Sequence, residues 1–327
     1  MPAPDLGAAD PKGPDLIRRR TLLTTALTAT AAIGLAACTD EGIDPEATGG
    51  PSDSGSDALA GVTVSDDLGE EPTVEFSAPL EITSADAKIV TPGDGDLIAE
   101  GDSVVWRSLY IDATSGETLQ SWWQGAPASG VQVTAEGVGE VAFSFLTTVP
   151  VGSRFVMTGW QQDSNGQARS LLQVADVDRV ITATRAEGEP GDPSGTFPAV
   201  TLAEDGAPSL DAAPEGEPPS TTTREELIVG SGDDTRAGDY LTMHYTGWKW
   251  SDGEQFDSSW ERGAPFSFVQ GSGGVIQGWD EHLLDLPVGS QVMLVIPPEE
   301  AYGDQGELAG ETLVFVIDIL DAAHTHD

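Results

Sequence analysis

The chain has 327 residues, 39% of them apolar and 21% charged, and its 55 acidic side chains against 14 basic ones give a net charge of −41. That length fits about two domains, and that charge repels phosphate backbones, which argues against nucleic acid as a partner. A single cysteine excludes an intramolecular disulfide and any cysteine-based zinc site.

Near its start the chain reads Arg18-Arg19-Arg20, then TLLTTALTATAAIGLAA, then Cys38. A basic stretch, a short apolar run and a small-residue finish make a secretory signal, too short and too rich in Thr and Ala for a spanning helix. Leu35-Ala36-Ala37-Cys38 resembles a bacterial lipobox. The resemblance implies that residues 1–37 are a lipoprotein signal peptide and that Cys38 receives a diacylglyceryl group. The mature chain is then exported and anchored to the outer face of the cell membrane, where two acyl chains hold what one would hold only marginally. Arg19-Arg20-Thr21-Leu22-Leu23 also resembles a twin-arginine export signal, so the general and twin-arginine routes both stay open. Residues 38–69 are rich in Gly, Ser, Asp, Pro and Ala with hardly an apolar pair, and read as a flexible, disordered acidic tether.

Beyond the tether the sequence repeats itself. SGETLQSWWQGAP at 115–127 echoes DGEQFDSSWERGAP at 252–265, and VPVGS at 149–153 echoes LPVGS at 286–290. EGD at 100–102 echoes AGD at 237–239, so one frame runs through both halves with a spacing of 137 positions. This is a tandem duplication of a domain of roughly a hundred residues, since the unit of a solenoid would be shorter. Residues 70–186 hold the first copy, 187–194 a linker, 195–322 the second copy and 323–327 a tail. Within the second copy Leu241, Met243 and Tyr245 alternate with polar neighbours, as do Val292, Leu294 and Ile296, and again Leu313, Phe315, Ile317 and Ile319. In VIQGWDEHLLDL the period changes: Ile276, Trp279 and Leu283 fall on one face of a short helix. Antiparallel strands with one helix laid on a face make an α+β architecture.

One stretch resists reading as either core or loop. FDSSWERGAPFSF at 256–268 sets four aromatic rings among Asp257, Glu261 and Arg262. It belongs to a series of blocks: HYTG at 244–247, DGEQFDSS at 252–259, RGAPFSF at 262–268, GGVIQGWDE at 273–281, VGS at 288–290, IPPEEAYG at 296–303 and TLVFVIDIL at 312–320. In that order they resemble the FKBP family of peptidyl-prolyl cis/trans isomerases, over about a hundred residues of the second half. The first half matches only in skeleton and resembles a degenerate copy. The resemblance implies a half-wrapped antiparallel β-sheet around a short α-helix in each domain, with an apolar pocket for a prolyl ring between them. Carried onto this chain, Trp279 is the pocket floor and Tyr245, Phe256, Phe266, Val275, Ile276 and Phe315 are its walls. Asp257 and Tyr302 supply the polar edge, and the N–H of Ile276 bonds a substrate carbonyl. Glu261 and Arg262 face water or brace the loop, and Phe268 is a core ring.

The implied reaction needs neither cofactor nor metal, because rotation about an X–Pro amide changes no covalent bond. The implied partners are proline-containing segments of exported polypeptides, with a rapamycin-type macrolide as ligand. The implied role is a foldase for exported proteins; the alternative is a non-catalytic FKBP-like binding or chaperone module of the cell envelope. Other chemistries find little support. His244 and His282 stand apart from any nucleophile motif, QGSGG at 270–274 lacks the lysine of a phosphate loop, and His324-Thr325-His326 reads as a frayed end. Two departures from the family stand out in the second copy. Only DQGELAGE separates Gly303 from Thr312, where members commonly carry a longer loop, and His282 stands where many have Gly. In the first copy the frame sets Ser108 against Tyr245, Leu119 against Phe256, Gln120 against Asp257 and Ala142 against Trp279.

Overall fold

The computed structural model describes residues 57–162, 168–194 and 197–326, so Cys38 and the expected signal segment lie outside the described residues. A single 3-10 turn at Asp57–Leu59 leads into a small hairpin of β1 (Thr63–Val64) and β2 (Val74–Glu75). Residues 57–69 fall in the stretch expected to be a tether, and here the structure differs. Leu59 and Val62 are buried against Leu109, Ile111, Val156, Leu172 and Val174 on the outer face of the first sheet. Lys88 Nζ fastens them by donating to the carbonyls of Leu59 (3.2 Å) and Val62 (2.9 Å). Both faces of that sheet are apolar, so the outer one needs a cover, and each Leu or Val removed from water there contributes about 1.5–3 kcal/mol.

The first sheet contains β3 (Ala87–Thr91), β4 (Ser103–Asp112), β5 (Thr118–Ser121), β6 (Ser129–Gln132), β7 (Arg154–Gln162) and β8 (Ala168–Ile181). Its order is β3-β7-β8-β4-β5, with β6 also paired to β4. Two short helices, α1 (Ala135–Val138) and α2 (Glu140–Leu146), cross its inner face. There Val138, Ala142 and Leu146 meet Trp106, Phe155 and Val177.

The connection that follows is not a free linker. β9 (Glu189–Pro190) pairs with the edge of the second sheet, and β10 (Val200–Leu202) and β11 (Pro208–Leu210) form a hairpin over that sheet's outer face. Phe197, Val200 and Leu210 pack there on Trp248, Met293, Val295, Val314 and Val316. Each sheet is thus roofed by the segment that precedes it.

The second sheet comprises β12 (Thr223–Val229), β13 (Tyr240–Lys249), β14 (Gln255–Ser258), β15 (Phe266–Val269), β16 (Gln291–Ile296) and β17 (Leu313–Ala323), with α3 (Ser259–Arg262) and α4 (Gln277–His282) between strands. The path β14-β13-β17-β16-β12-β9, with β15 on β13, repeats the first sheet. The registers coincide. Thr246 opposes Ser258 as Leu109 opposes Ser121, and Tyr240 opposes Val269 as Ser103 opposes Gln132, each residue 137 positions on. The bulges at Thr242/Met243 and Val105/Trp106 keep the same spacing. Each copy is a wrapped antiparallel sheet around a short helix, and α4 buries Trp279 and leads to Leu283 against the strands, as the spacing of those residues predicts.

The two copies touch. Val105, Trp122 and Ala128 of the first pack with Tyr240 and Ala323 of the second. Tyr240 Oη donates to Gly130 O at 3.0 Å, and Arg179 grips Asp321 with bonds of 3.0 and 2.7 Å. The stretch expected to be a frayed tail is ordered through His326: Ala323 ends β17, and the His324 carbonyl accepts from Trp122 Nε1 at 3.1 Å. His326 lies against the Trp122 ring, which explains why these residues stay down. No helix among the described residues is long and apolar enough to cross a membrane.

Candidate active site

Strand alternation sets the first wall. Tyr245 and Gly247 point to the inner face of β13, and the hairpin into β14 returns Phe256 and Asp257 beside them. The strand β15 brings Phe266, α4 brings Trp279, and β17 brings Phe315 from across the sheet. Ring centroids lie 5.0 Å apart for Tyr245–Trp279, 5.1 Å for Trp279–Phe315, 5.5 Å for Phe256–Phe315 and 5.9 Å for Phe266–Trp279. All four pairs meet edge to face, the arrangement aromatic quadrupoles favour. Phe256, Phe266, Val275 and Ile276 are half-buried around the buried Tyr245, Trp279 and Phe315, so the apolar residues singled out from the sequence converge on one place.

Gly247 makes room for the rings. A Cβ there would sit 2.6 Å from Phe256 Cζ and 2.8 Å from Phe315 Cε1, so no other residue leaves those rings where they are. Phe268 lies deeper, 2% exposed and stacked on Phe266, and is a core ring.

The polar edge is a three-residue network. Tyr245 Oη donates to Asp257 Oδ2, Arg262 Nη1 donates to Asp257 Oδ1, and Arg262 Nη2 donates to Tyr245 Oη at 2.9 Å. The guanidinium also lies 5.4 Å from the centre of the Tyr245 ring, within cation–π reach. Burial, then the bond to Asp257, pushes the Tyr245 phenol well above its ordinary range, so it stays protonated and donating. Arg262 therefore belongs to the site, where the sequence suggested water or loop bracing. It stands five positions after Asp257, at the end of the one-turn helix α3. Tyr302 stands on the rim, 42% exposed, and burial together with the Asp257 charge raises its phenol. The short loop after it supplies a residue the sequence left unassigned: Leu308 packs against the same cluster, and Gly310 N closes the loop on Gly303 O at 2.8 Å.

Few donors reach into this place. Ile276 ends its extended segment as the N-cap of α4, and among the described residues nothing accepts from its N–H. Trp279 Nε1 is buried without an acceptor. His244, on the opposite face of β13, stacks on Trp260 at 4.2 Å and is bonded to Ser259 Oγ at 2.8 Å. Desolvation, then the Arg262 charge, lowers it to about 4, so it is neutral at ordinary pH.

The first copy shows what the same frame looks like without those rings at those positions. Ser108, Ser129 and Gln173 stand at the register positions of Tyr245, Phe266 and Phe315. Tyr110 stands at that of Gly247. Gln173 Nε2 donates to Ser108 Oγ at 3.0 Å and to Tyr110 Oη at 3.1 Å. Tyr110 is 5% exposed and occupies the register position at which Gly247 admits the rings of Phe256 and Phe315. A hydrogen-bonded polar cluster stands in place of the ring cluster.

Comparison with known proteins gives the same frame a context. The sequence model of a family described as FKBP-type peptidyl-prolyl cis-trans isomerase matches residues 232–320. An FK506-binding protein of Streptomyces anulatus is 42% identical over 112 residues, which cover 33% of this chain and 90% of that protein. FK506-binding protein 2 of Emericella nidulans is 50% identical over 90 residues, 27% of this chain and 67% of that protein. Among solved structures, AtFKBP13 is similar with 31% identity and a TM-score of 0.30, covering 35% of this chain and all of that one.

Proposed function

The chain belongs to the FKBP-type peptidyl-prolyl cis-trans isomerases, and from that premise we propose that the reaction takes place in the second domain, in the cleft framed by Tyr245, Phe256, Phe266, Trp279 and Phe315. What carries this placement is the contrast between the copies: rings around Gly247 in one, Ser108, Ser129, Gln173 and Tyr110 in the other.

Turning an X–Pro bond breaks amide resonance against a barrier of roughly 18–20 kcal/mol. Unaided, it takes tens to hundreds of seconds. The planar amide is the more charge-separated state and is well solvated by water; the twisted transition state is less so. A ring-lined cleft with few donors thus disfavours the planar form more than the twisted one, and each ~1.36 kcal/mol of difference is tenfold in rate. The prolyl ring sits over Trp279, and the free Ile276 N–H holds the substrate carbonyl so that the bond is aligned for rotation. Asp257, with its charge shared between Tyr245 and Arg262, closes the polar edge without donating a proton.

The test is isomerisation of a proline-containing peptide by the chain. Phe256→Ala and Asp257→Val should each lower kcat/KM by about tenfold or more, with near-UV circular dichroism unchanged. A rapamycin-type macrolide should compete with the peptide for the wild type. Full activity in both variants would move the reaction elsewhere.

The lipobox-like Leu35-Ala36-Ala37-Cys38 supports a second part of the reading: the enzyme is exported, held on the outer face of the membrane through a lipid on Cys38, and serves exported chains as they fold. Cys38→Ala should release the protein from the membrane fraction or stall it before export. Retention of that variant with unchanged mobility would remove the anchor from the account.

A further inference from the structure

His282, isolated in sequence, has company in space. It is the last residue of α4, and its Nε2 lies 3.8 Å from Glu300 Oε2, on the 3-10 turn Pro298–Glu300 that leads to Tyr302. Glu281 joins them, and one ligand atom from each of the three residues lies within 4.8 Å of the others. We propose that Glu281, His282 and Glu300 form a site for a divalent cation of the zinc class, and that the bound ion ties α4 to the turn ahead of Tyr302.

The donor set is one imidazole nitrogen and two carboxylates, the borderline mixture that suits zinc better than the all-oxygen shell of calcium or magnesium. Two ligands held about 2.1 Å from a tetrahedral ion stand roughly 3.4 Å apart. The His282–Glu300 pair is therefore within a few tenths of an ångström of a chelating distance. The exposed Glu281 side chain makes up the larger difference by rotation. Each carboxylate is steadied on its far oxygen or along its helix: Glu300 Oε1 accepts from Thr222 N at 3.4 Å, leaving Oε2 toward His282, and Glu281 Oε1 accepts from Gln277 Nε2 at 2.9 Å. Such outer partners fix the aim of metal ligands. Arg224 Nη1 binds the carbonyls of His282 and Leu284 at 3.0 Å each, which pins the end of α4. Its positive charge opposes the ion, and the net charge of −41 works the other way. Three protein ligands leave a fourth position to water.

The site is independent of where the isomerase reaction occurs, so its test stands apart from that reading. Zinc titrated into the whole chain by calorimetry should show one tight equivalent. His282→Gly and Glu300→Gln should each weaken it by at least the ~10–100-fold that loss of a mere outer partner costs, while His326→Ala leaves it intact. Amide exchange at residues 299–303 should slow on zinc addition in the wild type and stay unchanged in His282→Gly. No tight equivalent, an equivalent that survives both ligand variants, or one that follows His326 overturns the proposal.

Discussion

Gly247 and Tyr110 occupy one register position in the two sheets, and that position decides what each sheet can hold. A methyl group at 247 would press on Phe256 and Phe315, whose rings are already held edge to face with their neighbours. Gly247→Ala is therefore expected to cost about 1–3 kcal/mol of stability, the usual penalty for overpacking. It should also lower kcat/KM by about tenfold or more, because the displaced rings line the cleft. Denaturant unfolding and the peptide assay read the two effects, and a variant with wild-type activity would show that these rings do not line the place where the substrate sits. The rings themselves are legible in the sequence, because Tyr245 alternates with its strand and the blocks around Phe256, Phe266 and Trp279 resemble a known pattern. Gly247 is not, since glycine in a strand reads as weakness until the atoms it spares are seen. Arg262 is hidden for a related reason: its partners, Tyr245 and Asp257, come from two other strands, and no periodicity records a contact across a hairpin.

Among elements, the covers are the part that sequence reading misses. Leu59, Val62, Phe197 and Leu210 stand singly among Gly, Ser, Pro and acids, so no window around them shows a period. Their burial follows only from the exposed apolar face that waits for them. One such connection is also chemical. Asp318 on β17 is 1% exposed and accepts from Gln291 Nε2 and from Ala186 N, both at 2.7 Å, so it clamps the start of the linker to the sheet. Desolvation raises it from the ordinary carboxylate value of 3.8 to about 6. Between those two values the folded state keeps a proton that the unfolded chain releases, so this group's contribution to stability falls as pH rises through the window. The whole loss is on the order of 3 kcal/mol. In Asp318→Asn, with the Gln291 amide free to turn, that slope should vanish. Unfolding midpoints of both forms at about pH 4 and about pH 7 measure it, and parallel curves would show that Asp318 is not the source.

For the whole molecule, duplication has kept the sheet and changed the residues it frames. The registers, the bulges and the serine that receives a glycine N–H at the start of β7 and of β16 recur in both copies, Gly93 N to Ser153 Oγ at 2.8 Å and Gly230 N to Ser290 Oγ at 2.9 Å. That common skeleton is legible in the repeated Val-Gly-Ser and Gly-Glu stretches. The contact between copies is not, because Trp122, Tyr240 and His324 are far apart in sequence and follow no shared pattern. With the reaction placed in the second copy as proposed, the whole chain carrying both Phe256→Ala and Asp257→Val should retain no isomerase activity above background. Its fold, read by circular dichroism, should be intact. Residual turnover at a substantial fraction of wild type would assign a working cleft to the first copy.

Tyr110 has a consequence for the history of the pair. Removing its ring would not reopen a prolyl cleft, because the space would then be walled by Ser108, Ser129 and Gln173, whose polar atoms are already bonded to one another and to Tyr110 itself. Such a hole is polar enough to take in water, which would solvate the planar amide and remove the advantage of the twisted one. Rebuilding the second copy's ring cluster there would demand a glycine and at least three rings together, and each change alone would leave either a wet void or an overfilled core. If the reaction belongs to the second copy alone, as proposed, the first sits behind an evolutionary ratchet, and mutation can refine it only as a partner of the second.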